Sequence, residues 1–162
     1  MLEASPDNEN QQLLLSWLAV IGAITMFWSP VERHIDQIAH LIYDRLSNNS
    51  KPRRKPLSLS DKLKFIKKHI SQKIDIEKLS IQTLAASKVR DVCVHGCIDA
   101  YDDVQMKIGK VDGRQQNHVI EIFTFDRARL EKSATDLAAL QKTWEEIALS
   151  LLHSSNNGAS KG

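Results

Sequence analysis

The string Arg90-Asp91-Val92-Cys93-Val94-His95-Gly96 places three chemically capable side chains inside six residues. An arginine can hold a phosphate with two parallel hydrogen bonds, a histidine can move a proton near neutral pH, and a carboxylate one turn earlier can orient that histidine. Together they suit cleavage of a phosphodiester such as RNA. Asp91 and His95 are four apart and share a face if the segment is helical. Arg90 is five residues from His95, about 140° around a regular helix. Both face one cleft only if Arg90 reaches around or the helix loosens at His95-Gly96. The plainer alternative is a helix end where Arg90 and Asp91 form surface ion pairs and His95 caps the last carbonyls.

Several elements must hold this string. Leu14, Trp17, Ile21, Ile24, Trp28, Val31, Ile35, Ile38 and Ile42 recur at steps of three and four, which predicts one long first helix. Pro30 lies inside that stripe and is expected to kink the helix rather than divide it. Ser47 to Ser58, with Asn48, Asn49, Pro52 and Pro56, reads as a loop. A second helix follows, capped by Ser58 or Ser60, with Leu59, Leu63, Ile66 and Ile70 on its buried side. The third runs from about Ile76 through the Arg90 to His95 string and ends near Gly96.

Residues 104–125 break the helical pattern. Val104, Met106 and Ile108 alternate with polar residues, Asp112-Gly113 is a turn signal, and Val119 to Phe125 is β-branched and aromatic, so a small β-hairpin is expected. The last helix begins near Thr124 or Asp126 and buries Leu130, Ala134, Leu137, Leu140, Trp144, Ile147 and Leu151. The fold expected is all-α: an up-and-down bundle of about four helices with a hairpin inserted before the last. Residues 1–9 read as a disordered leader, 10–153 as one domain and 154–162 as a flexible tail.

At 162 residues the chain can bury one sizeable core unaided. Its two cysteines, Cys93 and Cys97, have the spacing of successive helical turns, which points to reduced thiols in a cytoplasmic protein. The apolar run Leu13 to Trp28 is shorter than about 20 residues and follows an acidic leader, so no membrane role is expected. The net charge of +2 is unevenly spread: residues 51–73 carry nine basic groups against Asp61 alone, or +8, leaving −6 elsewhere. Lys51, Arg53, Arg54, Lys55, Lys64, Lys67 and Lys68 are the candidate contacts to an RNA backbone. A solvated helix face beside a loop explains the same run. Phe65 is the one interleaved aromatic, and a core can equally claim it.

The motif resembles the R-x4-6-H motif of the HEPN superfamily, small α-helical proteins that include many metal-independent endoribonucleases of toxin-antitoxin, phage-defence and RNA-processing systems. Arg90, four intervening residues and His95 carry the likeness, with the polar Asp91 after the arginine and Gly96 after the histidine. The order of elements is similar over residues 12–153, including Trp28-Ser29-Pro30-Val31-Glu32 in the first helix. The resemblance implies a homodimer whose two motif helices line a shared cleft, RNA as substrate, and a cognate antitoxin for the toxin members. It further implies that His95 is the general base on a ribose 2′-hydroxyl and that Arg90 stabilises the phosphorane, giving a 2′,3′-cyclic phosphate without metal or cofactor. Some members only bind partners, so an inactive dimerisation or docking module is the alternative. One branch carries a tyrosine two residues after the histidine, which a nucleotidyltransferase partner modifies with AMP. That position is Cys97 here, and the nearest tyrosine is Tyr101.

Other chemistries are poorly served. Cys93, His95 and Cys97 are three close ligands without a second pair, so no zinc site is expected. His34, His40 and His69 read as satisfied or surface histidines, and Trp17, Trp28 and Trp144 as core or interface residues. There is neither a Gly-rich phosphate loop nor a nucleophile elbow.

Overall fold

In the computed structural model, which describes residues 6–70, 75–111 and 119–159, four helices and three strands follow one another. They are α1 (Pro6–Arg45), α2 (Leu59–His69), α3 (Ile76–His95), β1 (Cys97–Tyr101), β2 (Gln105–Val111), β3 (Ile120–Asp126) and α4 (Arg127–Ala159). The chain is thus mostly helical, and the expected hairpin before the last helix is present as the antiparallel pair β2–β3, to which β1 adds a third strand in the order β1-β2-β3.

The first helix is continuous through Pro30, where Trp28 Nε1 donates to Glu32 Oε2 at 3.2 Å across the turn that proline interrupts. It also starts earlier than expected. Proline at the first helical position costs no intrahelical bond, and Asp7 and Glu9 complement the helix dipole, so residues 6–9 are helical rather than a disordered leader. Likewise α4 carries residues 154–159 as helix where a flexible tail was expected. The run Leu13 to Trp28, too short alone to span a bilayer, lies within this 40-residue helix, which is long and apolar enough to do so; 22% of its most apolar stretch is buried. The expected turn at Asp112-Gly113 and the basic Lys73 lie outside the described residues.

By its internal contacts the chain falls into two compact units. The first comprises residues 1–26 and 86–136. Its interior holds Trp17, Ile24, Val92, Met106, Ile108 and Leu130. Trp17 Nε1 donates to the Asp102 carbonyl at 2.7 Å, and the Arg127 guanidinium lies 5.4 Å from the Trp17 ring centre. Between β1 and β2, the Asp102 carboxylate accepts the backbone N–H groups of Gln105 (2.6 Å) and Val104 (2.8 Å), which hold its pKa below the ordinary value. The ladder between β2 and β3 is regular, whereas β1 slips against β2 between Ile98 and Ala100. That bulge removes the period-two signature from Cys97–Tyr101, and β1 was not anticipated for that reason.

The second unit comprises residues 27–85 and 137–162. Trp28, Val31, Ile35, Ile38, Leu63, Ile66, Leu79, Leu137 and Trp144 are buried in it. Trp144 Nε1 donates to Thr83 Oγ1 at 3.0 Å, and that hydroxyl in turn donates a hydrogen bond to the Leu79 carbonyl at 2.8 Å, so neither polar group is orphaned. Ser58 caps α2, accepting from the Asp61 N–H at 3.1 Å. Only Leu63 and Ile66 of the expected apolar side are fully buried on that helix; Leu59 and Ile70 are half-buried.

Candidate active site

All three motif residues belong to the first unit. The third helix stays regular to its end, since the Gly96 N–H donates to the Val92 carbonyl at 2.9 Å. The helix therefore does not loosen at His95, and Arg90 meets a ligand beside His95 only by reaching around it. Gly96 permits the change from helix to strand: a Cβ there would stand 2.2 Å from Ile108 Cγ2 and 2.7 Å from the Val92 carbonyl oxygen.

Asp91 and His95 lie together, but not as a hydrogen-bonded pair. His95 Nε2 stands 3.8 Å from Asp91 Oδ1, beyond hydrogen-bond range. The partner that Asp91 takes is Lys110 of β2, whose ammonium hydrogen-bonds Oδ2. This hydrogen bond is the main cause that lowers the Asp91 pKa, opposed by partial desolvation and aided by the charges of Lys110, His95 and Arg90. The carboxylate thus stays ionised at neutral pH, as the anion at the centre of three cationic or protonatable groups. Of the two contacts open to a carboxylate one turn before a histidine, a hydrogen bond or an ion pair, the geometry leaves the second, with one ring edge. The His95 side chain is 57% exposed, open to a substrate.

Sequence reasoning missed Lys110, although a signal existed. Counting by twos along β2 from the buried Met106 and Ile108 reaches Lys110 on the same face of the sheet, at the end of an otherwise apolar row. Because the Asp91 pKa is lowered on folding, the pair contributes stability that is full above the ordinary carboxylate value of 3.8 and lost as pH falls through the lowered one. Lys110→Met is expected to return the Asp91 titration midpoint toward 3.8, read from its side-chain carboxyl carbon by NMR. An unchanged midpoint would mean that Lys110 does not hold the carboxylate.

Arg90 is half-buried, and its Nε is buried without a hydrogen-bond partner among the described residues. An enclosed Nε is shut off from solvent, so any contact to an incoming anionic oxygen falls to the terminal N–H groups of the guanidinium. Cys93 is buried, and desolvation raises its thiol pKa to about 11, which keeps it protonated near neutrality. Cys97 is exposed. Among the described residues no three His, Cys, Asp or Glu side chains gather as a metal site would require. His40 pairs with Asp44 at 3.1 Å and His69 Nδ1 meets the Phe65 carbonyl at 2.9 Å, whereas His34 is buried with Nδ1 unpartnered, unlike the satisfied core histidine expected.

The residues expected to hold an RNA backbone all belong to the second unit. Lys67 is engaged by Glu77 at 3.0 Å, and the neighbouring Lys62 by Asp36 at 2.5 Å. Lys51 and Lys55 place their ammonium groups 5.3 and 4.9 Å from the centre of the Tyr43 ring. Arg53, Arg54, Lys64 and Lys68 make no ion pair among the described residues, so the positive charge there is only partly neutralised. No family model, curated protein or solved structure matches the chain.

Proposed function

We propose that the chain is a metal-independent endoribonuclease of the HEPN type, its four helices an up-and-down bundle and its working form a homodimer, acting on RNA as a toxin or phage-defence effector in the cytoplasm. The observation that carries this reading is an exposed histidine at the end of α3 with an ionised carboxylate 3.8 Å from it, the half-buried Arg90 standing next to that carboxylate in the chain. In the reaction, His95 takes the proton of a ribose 2′-hydroxyl through a ring nitrogen, and the 2′-oxygen attacks the adjacent phosphorus. Arg90 donates to the non-bridging oxygens as negative charge grows on them. Asp91 stabilises the imidazolium that results. The bond from phosphorus to the 5′-oxygen then breaks, and the leaving oxygen takes a proton from the partner's His95, leaving a 2′,3′-cyclic phosphate and a 5′-hydroxyl.

Arg90→Ala is expected to slow RNA cleavage by roughly 10²- to 10³-fold, the usual cost of removing a donor aimed at developing charge. Arg90→Lys, which keeps the charge but not the planar fork, should recover only part of the loss. The rates come from gel analysis of a labelled RNA. Cleavage unaffected by either change would remove Arg90 from the mechanism. An inactive docking module is the second reading, favoured by the exposed apolar residues Leu15 (57%), Leu18 (42%) and Met26 (73%) on α1. It predicts no cleavage by any of these proteins.

A further inference from the structure

The loop before α2 and the helix itself line an open cavity of about 400 Å³, within the size range of small-ligand sites. Its apolar walls are Pro52, Pro56, Leu57 and Phe65, and two cations, Arg54 and Lys55, stand at its edge. The apolar material is oddly placed for a structural role: Leu57 is 80% exposed. Behind the cavity Phe65 belongs to an aromatic row, its ring centre 6.5 Å from Tyr43 and 4.5 Å from His69, with the ring planes tilted by nearly 50°. Lys55 also places its ammonium 4.9 Å from the centre of the Tyr43 ring. The carboxylate that lines the cavity, Asp61, is already engaged by the Ser58 hydroxyl at 2.7 Å and belongs to the helix cap.

Apolar and aromatic side chains beside two cations match a ligand with a flat ring and an attached phosphate. We infer that this cavity is a base-stacking subsite for single-stranded RNA, in which one nucleobase lies against Phe65 between Leu57 and the two prolines and its phosphate is held by Arg54 and Lys55. The choice of RNA over other phosphate-bearing rings rests on the ribonuclease reading. Such a subsite grips single strands, whose bases are free to turn out, and discriminates little among bases because each has a stacking face.

The test is binding of a short fluorescent 2′-O-methyl oligonucleotide to the full chain. This probe lacks the nucleophilic hydroxyl, so binding is read independently of cleavage. Phe65→Leu, which keeps an apolar side chain but removes the ring, is expected to weaken binding about tenfold. Leu57→Glu sets a carboxylate at the exposed mouth and cannot harm the core, so it should weaken binding even if Phe65→Leu folds poorly. An abasic oligomer should bind the wild type as weakly as the normal one binds Phe65→Leu. Arg54→Ala with Lys55→Ala should lower the slope of log affinity against log salt by about 0.7, one phosphate neutralised on a single strand. If normal and abasic oligomers bind alike, if both Phe65→Leu and Leu57→Glu bind as the wild type does, or if no oligomer binds, the subsite is overturned. Binding without cleavage would sink the ribonuclease and spare the subsite, whereas cleavage with ring-independent binding would do the reverse.

Discussion

His95→Ala is expected to reduce RNA cleavage by at least about 10²-fold and to leave the melting temperature unchanged. The first half follows from chemistry: a positioned general base contributes roughly 10²- to 10⁴-fold, and no other described side chain on that helix end can take its place near neutral pH. Asp91 is ionised but its pKa is lowered, which makes it a weaker base than a free carboxylate, and Lys110 occupies one of its oxygens. Cys93 is buried and protonated. The second half follows from the structure. His95 is mostly exposed, and its only charged contact among the described residues is longer than a hydrogen bond, so its removal should change stability by less than about 0.5 kcal/mol. Cleavage rates and thermal unfolding measured on the same preparation separate the two. A variant that loses activity only because it melts would mark His95 as structural.

Gly96→Ala should lower stability by about 2–3 kcal/mol, at the upper end for an overpacked site, and the melting temperature by roughly 5–10 °C. The added methyl would meet two obstacles at once. The side chain of Ile108 at 2.2 Å is almost fully buried and has little room to turn, and the Val92 carbonyl oxygen at 2.7 Å is backbone that already accepts the Gly96 N–H. Relief would require α3 and β2 to move apart just where Asp91 and Lys110 meet, so cleavage should fall as well. Gly109→Ala is the informative control. Its Cβ would touch only the ends of the Ile122 and Ile120 side chains, at 3.3 and 3.4 Å, both exposed and able to swing aside, so the change should cost under about 1 kcal/mol. Equal melting temperatures for the two variants would show that the close approach at Gly96 does not constrain the fold.

The helical framework was legible because its signal is long and periodic. Trp17, Ile24, Trp28, Val31, Ile35, Ile38 and Ile42 are all buried, as their threes and fours require, and so are Leu130, Leu137, Leu140, Trp144 and Ile147. The end of α3 at His95 was legible from Gly96 alone. What escaped was short or non-local. The first strand has a bulge and no alternation, and the division of α1, α3 and α4 between two units depends on contacts that no single stretch of sequence records. The site divides in the same way. Spacing along one helix gave the neighbourhood of Asp91 and His95, because four residues make one turn. It could not show that Asp91 would be taken by Lys110, nineteen positions later, since that pairing depends on how β2 lies against α3. The aromatic row of Tyr43, Phe65 and His69 likewise joins residues of two helices, of which the sequence offered only Phe65.

The most direct test of the central claim is the chemistry of the ends left when the purified protein digests RNA in the presence of EDTA. The account predicts 2′,3′-cyclic phosphate and 5′-hydroxyl ends, and no cut where a single 2′-deoxynucleotide replaces the ribose at the scissile position. Cleavage that needs a divalent metal, or that proceeds through the 2′-deoxy position, would contradict it.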